Sequence, residues 1–521
     1  MPFCPARLYN YWGFLYHGLR PGAQGRARIG RRREKQLRIL LVQPEYLSEG
    51  GLGFRMAAMP EPLHLEMVAA LVPDHQVRIL DMRLDGDLIG ALQSFQPDMT
   101  AVTALTQEVY AARDVVRAVK SFSKDIFTVV GGHHATLLPE DFHVPQVDAI
   151  VLGEAELVFA ALVEAVAAGK GLQDVPNLAW RDGEGHFRSN RPAEAPVDLD
   201  ALPIPRRDLT AGYREEYFFL FDKPDTSVAT GRGCPYRCNF CSVWQFYHGK
   251  TNQMSPRRVV EELATIQTQH VTFVDDNFLM NNRRENAIAD LIQAEGIRMR
   301  FSMECRTDSI VRHPELVKKW TDIGLYAVLL GLEGASDSTL KRVNKKNTAQ
   351  TNDQALKILR DNGIIVWGAF IVDPDWTEDE FKQLREYVSR QEITHTQFTI
   401  LTPLPGTQLY AERFADLLTH DYSCYDTLHS VLPTRLPREE FYRHYADLYR
   451  QTDLGPYYDL VRAGKLTIED CRRGKEMLEA MTHWERLVEN DPVLGRPRQE
   501  CEALPGAYIA ARRGRGRLLG A

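Results

Sequence analysis

Cys234, Cys238 and Cys241 place three thiols within eight consecutive positions of a 521-residue chain. Thiolates are soft ligands, and three at this spacing can hold three irons of a [4Fe–4S] cluster. No fourth cysteine lies nearby, so one iron would stay open to a non-protein ligand, an arrangement for chemistry rather than electron storage. Gly231, Gly233 and Pro235 suit a loop that wraps closely around such a group, because glycine reaches backbone angles that other residues avoid. The alternative is a structural zinc site, with His248, seven residues past Cys241, the only nearby fourth ligand. Zinc more often takes paired C-x2-C or Cys/His spacings.

The C-x3-C-x2-C spacing, with Phe240 just before the last cysteine, resembles the cluster loop of the radical S-adenosylmethionine (SAM) superfamily. The resemblance implies that the amino and carboxylate groups of SAM complete the coordination of the open iron. It also implies that electron transfer cleaves SAM to a 5′-deoxyadenosyl radical.

The elements before this loop alternate between short apolar runs and helical stretches. Residues 37–42, 76–80, 99–103, 127–130 and 149–152 read as strands buried on both faces of a parallel sheet, with helices at 63–71, 88–95, 109–122 and 156–168. Strands joined by crossover helices predict a doubly wound domain over 36–184, with its ligand beyond the carboxyl ends of the strands. The loops there are 43–53, 103–109 and 131–136, followed by 153–156. No Gly-x-Gly-x-x-Gly opens the first helix, which argues against a nicotinamide.

Placed ahead of a radical SAM loop, this domain resembles the Rossmann-like cobalamin-binding domain of class B radical SAM enzymes. The resemblance implies that Gly131, Gly132, His133, Gly153 and Glu154 contact the corrin. The Asp-x-His-x-x-Gly motif is absent, so cobalt is expected without a histidine from that motif. His133 and His134 sit on a different loop, and an ordinary polar loop is the alternative reading of both.

Residues 185–225 are proline-dense and read as a linker. Beyond them, strands at 226–230, 270–274, 299–303, 326–330, 364–372 and 396–401 alternate with helices at 256–267, 283–294, 314–321, 348–362 and 378–391. That alternation fits the partial (β/α)6 barrel of a radical SAM core over 226–407. Parallel barrels place reactive groups at strand carboxyl ends, here Asp275, Asp276 and Asn277, then Glu304 and Arg306, then Glu333. By the resemblance, these strand ends and Phe240 contact SAM: the paired aspartates its amine, Arg306 its carboxylate, Glu333 its hydroxyls or amine. Helix capping is the competing use of such residues. Segment 401–407, with two prolines and a glycine, reads as a rigid rim. Residues 408–521 read as a mostly helical region whose aromatics, Tyr410, Phe414, Tyr422, Tyr425, Tyr442 and Tyr445, belong to core.

A net charge of −7 with 44% hydrophobic and 26% charged residues describes a globular chain and excludes bulk nucleic-acid binding. The remaining cysteines, Cys4, Cys305, Cys424, Cys471 and Cys501, are scattered, which fits a reducing cytoplasm. Residues 1–35 are aromatic, then basic, and read as a disordered extension, with peripheral contact at the inner membrane the alternative.

The resemblance covers residues 36–410 and implies a cobalamin-dependent radical SAM C-methyltransferase with three cofactors: a [4Fe–4S] cluster, SAM and cobalamin. The resemblance implies hydrogen abstraction from an unactivated carbon, methyl transfer from the corrin, and an external electron donor such as flavodoxin or ferredoxin. Length and domain order look like the hopanoid C-3 methylases, which implies an apolar polycyclic substrate. A tetrapyrrole is the runner-up, as in anaerobic porphyrin cyclases and bacteriochlorophyll side-chain methylases. A non-catalytic iron–sulfur and cobalamin sensor is the reading from another class.

Overall fold

Runs rich in Val, Ile and Leu form the first sheet: Arg38–Gln43 (β1), Gln76–Asp81 (β2), Met99–Thr103 (β3), Phe127–Gly131 (β4) and Ala149–Val151 (β5). A computed structural model of the protein describes residues 35–45 and 58–450, apart from 194, 221 and 394, and short pieces between 461 and 491. The amino-terminal extension, the far part of the 43–53 loop, Cys4, Cys471, Cys501 and the basic tail lie outside the described residues.

The five strands are parallel in the order β2-β1-β3-β4-β5. Helices Leu63–Ala70 and Phe159–Ala167 bury Leu65, Val68, Phe159 and Leu162 against one face. Leu88–Phe95 and Val109–Phe122 bury Leu88, Leu92, Val115 and Val119 against the other. The strand order reverses between β1 and β3, and a crevice opens at the carboxyl ends on either side of such a reversal.

Two strands extend this sheet antiparallel: Leu178–Arg181 (β6) and Phe187–Ser189 (β7). Residues 187–189 fall inside the expected linker, so the sheet runs further than the proline count implied. The rest of that segment is also tied down. Arg207 bonds Glu61 and Glu262, Thr210 donates to Glu66, and the Tyr217 hydroxyl reaches Asp81 at 3.2 Å. A free spacer would leave Glu61 and Glu66 buried without the Arg207 guanidinium that pairs with them.

The second sheet runs in chain order, all parallel: Asp225–Val228 (β8), His270–Phe273 (β9), Arg300–Arg306 (β10), Leu325–Glu333 (β11), Ile365–Val372 (β12) and His395–Ile400 (β13). Strands β8 and β13 do not pair, so the barrel is open, and open edges present unpaired backbone groups. Side chains close both. On β8, the Ser227 N–H donates to Glu61 Oε1 at 3.0 Å and its carbonyl accepts from Arg207 Nη2 at 2.8 Å. On β13, the Phe398 N–H donates to the Tyr449 hydroxyl at 3.0 Å, and its carbonyl accepts from Tyr445 at 2.7 Å.

Tyr445 and Tyr449 lie on helix Arg438–Arg450, whose Phe441 and Tyr442 complete the barrel core. Between 414 and 437 the chain is not the expected helix. It makes only single turns, Phe414–Asp416 and Tyr422–Cys424, and crosses back to the first layer, where Tyr410, Tyr422 and Tyr425 join the core. Its prolines, Pro433 and Pro437, lack the N–H that a helix interior needs.

Removing the Tyr449 hydroxyl leaves the Phe398 N–H buried without its acceptor. Tyr449→Phe is expected to lower unfolding stability by about 1–2 kcal/mol in urea titration, with no change in the cofactor sites.

Candidate functional site

The cysteine loop leaves β8 and is fastened at each end. Thr230 donates twice to buried Asp275, from its N–H and its hydroxyl, both at 2.6 Å. The Gly233 N–H donates to Asp276 Oδ2 at 2.8 Å. At Gly233 φ is +80°, and a Cβ there would lie 2.1 Å from the Lys250 carbonyl oxygen, so glycine is obligatory. Further along, the Asn239 carbonyl accepts from the Leu409 N–H, and Phe240 packs with Val343, Ile371, Leu401 and Leu409. Phe240 therefore anchors the loop.

Cys238 is buried, and Cys234 and Cys241 are half-buried. Burial pushes the Cys241 thiol up to about 12, with Cys238 and Cys234 adding to the effect, and it raises Cys234 too. Iron must therefore displace protons on binding, as thiolate ligation requires. Arg306 opposes the shift at Cys234, and its Nη1 lies 3.9 Å from Cys238 Sγ.

Sulfurs sharing one zinc ion lie within about 4.6 Å of each other, twice a Zn–S bond. Among the described residues, the triads with ligand atoms within 4.8 Å are Asp182–Glu184–His186 and Glu378–Glu440–His444, and the three cysteines are not one of them. Three soft thiolates on one loop, with no fourth cysteine beside them, are a donor set that fits a cluster.

Around the barrel mouth the strand-end residues differ in what they have left to offer. Asp275 is spent on Thr230, so it holds the loop rather than standing free for an amine. Burial raises its pKa to about 6. Arg306 is also occupied, which corrects the expectation that its fork is free for a carboxylate. Its Nε bonds Asp308 at 2.9 Å, Nη2 bonds the Lys345 carbonyl at 2.8 Å, and the guanidinium stacks 3.5 Å over Tyr236. Glu333, at φ +60°, pairs with Lys345 at 2.7 Å. Glu304 has no hydrogen-bond or ion-pair partner among the described residues. Burial, then Asp276 and Asp275, pushes its carboxyl up to about 7.

Between the carboxyl ends of both sheets lies a cavity of about 530 Å³, within the usual range for ligand pockets. Gly131, Gly132, His133, Gly153 and Glu154 all line it, as does Asp276 from the barrel. At Gly132 φ is +96°, and a Cβ would meet Thr103 Oγ1 at 2.7 Å and the Ala104 nitrogen at 2.8 Å. Bare backbone at these turns and apolar walls such as Leu41, Val102 and Val151 fit a broad, flat ligand such as a corrin.

His133 bonds Ser242 Oγ at 2.7 Å and stacks on Phe246, bringing the cavity rim onto the cysteine-loop helix Val243–Phe246. His134 faces the core, where Asp141 accepts from it and from Tyr422. Residue chemistry did not flag Arg232, which spans the cavity: its Nη1 pairs with Glu154 at 2.8 Å and its Nη2 with Glu156. The only sign of it in the sequence is its place between Gly231 and Gly233.

The profile of the Radical SAM superfamily matches residues 228–388, and that of the B12 binding domain matches residues 55–163. The hopanoid C-3 methylase of Methylococcus capsulatus is 32% identical over 415 residues, which cover 78% of each chain. The chain belongs to the cobalamin-dependent radical SAM methyltransferases. Its cofactors are therefore a [4Fe–4S] cluster, SAM and cobalamin. An uncharacterized methyltransferase of Pyrococcus horikoshii is 31% identical over 76% of this chain and 88% of its own. Among solved structures, the cobalamin-dependent SAM radical enzyme OxsB with aqua-cobalamin and SAM bound superposes with a TM-score of 0.65. It shares 17% identity over 86% of this chain and 71% of its own, a likeness of fold.

Proposed function

We propose that this methyltransferase adds a methyl group to an unactivated carbon of a polycyclic lipid, C-3 of a hopanoid being the favoured position. The observation that carries the reading is the 32% identity to a hopanoid C-3 methylase, sustained over 415 residues. The division of labour assigns cobalamin to the layer over 36–184, extended by β7, and SAM with the cluster to the barrel over 226–407.

Cys234, Cys238 and Cys241 would hold three irons, with the Arg306 guanidinium beside Cys238. Asp276 and Glu304 are the acids left to take the amine of SAM, and Glu333 with Lys345 lies at the next strand end. Gly131, Gly132 and Gly153 offer the corrin bare backbone, His133 flanks it, and Glu154 with Arg232 ties its layer to the cluster loop. Once bound, these cofactors supply the radical and the methyl group. The protein holds them in register and keeps water away through the apolar cavity wall.

A donor such as flavodoxin or ferredoxin belongs to the proposal, and so does peripheral contact with the membrane that carries the substrate. No helix among the described residues is long and apolar enough to cross a membrane.

Glu304 makes SAM binding depend on pH. With its carboxyl near 7, it is ionised above that pH and neutral below, and the N–H groups of an iron-bound amine donate more strongly to the ionised form. The dissociation constant of SAM for the reconstituted protein is expected to rise as pH falls from 8 to 6. In Glu304→Gln it should be weak and flat across the same window, and an unaltered profile would remove Glu304 from the site.

For the substrate, lipids extracted from cells with and without the gene should differ by a methylated hopanoid that disappears on deletion. Unchanged hopanoids together with an altered tetrapyrrole would transfer the assignment to a tetrapyrrole.

A further inference from the structure

The cavity contains an imidazole that nothing in the protein holds. His64, at the second position of helix Leu63–Ala70, is exposed to the cavity and has no hydrogen-bond, ion-pair or ring partner among the described residues. The other imidazole in the wall, His133, is engaged by Ser242 and Phe246. Of the other nitrogen-bearing side chains on the sheet side, Gln43 Nε2 is bonded to Glu108 at 2.9 Å and Arg83 to Asp81. Among the described residues of this layer that line the cavity, His64 alone presents an unused nitrogen.

Its placement is central. The helix that carries it packs on β1, on β2 and on the turn Ala155–Leu157 beyond β5. The charges that reach it come from Arg83 and Asp81 at the end of β2 and from Glu156. His64 therefore stands over the carboxyl edge of the sheet, across the cavity from Asp276, Phe246 and Tyr247 of the barrel half. Burial, with Arg83 next in weight, lowers its pKa to about 4. The ring is neutral near pH 7, and a neutral imidazole is a metal ligand.

A neutral ring nitrogen that lines a ligand cavity and bonds nothing among the described residues is free for the ligand. In the reading of this cavity as the corrin site, on which the inference rests, the nitrogen's partner is the metal. We propose that His64 is the axial ligand to cobalt on the corrin face turned toward the first sheet, leaving the opposite face open to the barrel. The histidine comes from the start of helix Leu63–Ala70, not from an Asp-x-His-x-x-Gly loop, so the usual motif gave no sign of it.

The full-length protein, loaded with hydroxocobalamin and reduced to Co(II), reports this by electron paramagnetic resonance. A nitrogen ligand splits each parallel cobalt line into three. In protein grown on 15N-histidine the three should become two. The splitting should be lost in His64→Ala and His64→Gln and kept in His133→Ala. If the variants do not fold, the isotope response of the wild type decides alone. A splitting indifferent to 15N-histidine, which marks the cofactor's own base, or no splitting at all overturns the assignment while leaving the cavity reading intact. Failure to retain any corrin overturns both.

Discussion

An open parallel sheet has two edges whose backbone groups need partners, and this protein meets that need at β8 with residues from outside the barrel. Ser227 is satisfied by Glu61, which precedes the first helix of the first layer, and by Arg207, from the connection between the layers. Arg207 also answers to Glu262 and, at 4.0 Å, to Glu66. Three carboxylates around one guanidinium cannot all be ionised cheaply, and burial, then Glu61, pushes Glu66 up to about 8. Closing the barrel edge therefore fastens the first sheet to it. Arg232 adds a second tie on the far side of the cavity, to Glu154 and Glu156.

Those two ties set the carboxyl ends of both sheets facing each other across one cavity. Each fold places its ligands at that end for its own reason: a reversal of strand order in the first, strand polarity in the second. Facing them brings Gly231 and Arg232 at the start of the cysteine loop, the glycine turns at 131–132 and 153, and Asp276 after β9 around a shared space. The raised Cys241 thiol and the raised Glu304 carboxyl share one cause, the protein packed around them. Each of them is relieved by a ligand.

Much of this was legible in the sequence, for definite reasons. Strands buried on both faces make continuous apolar runs, so β3 at Met99–Thr103 and helix Val109–Phe122 stand where the pattern put them. Strands β6 and β7 escaped because they are short and partly exposed, with neither a continuous run nor a clean alternation. The 414–437 segment escaped because aromatic spacing resembles a helix face when prolines are overlooked. At the site, positions were readable and partnerships were not. Asp275 and Arg306 stand at strand ends as expected, yet Thr230, Asp308 and the Lys345 carbonyl occupy them. Those partners lie up to 45 residues away along the chain, beyond the reach of any local pattern. Arg232 and His64 carry no motif of their own.

The central claim is that the corrin lies in the cavity and the cluster on the loop at its rim, close enough for the chemistry of one to reach the other. Pulsed electron paramagnetic resonance on protein holding both the reduced cluster and Co(II) cobalamin measures this directly. The account predicts a resolved magnetic interaction between the two centres, weakened in Arg232→Met as the layers lose their tie. Two independent, unperturbed signals from a doubly loaded protein would contradict it.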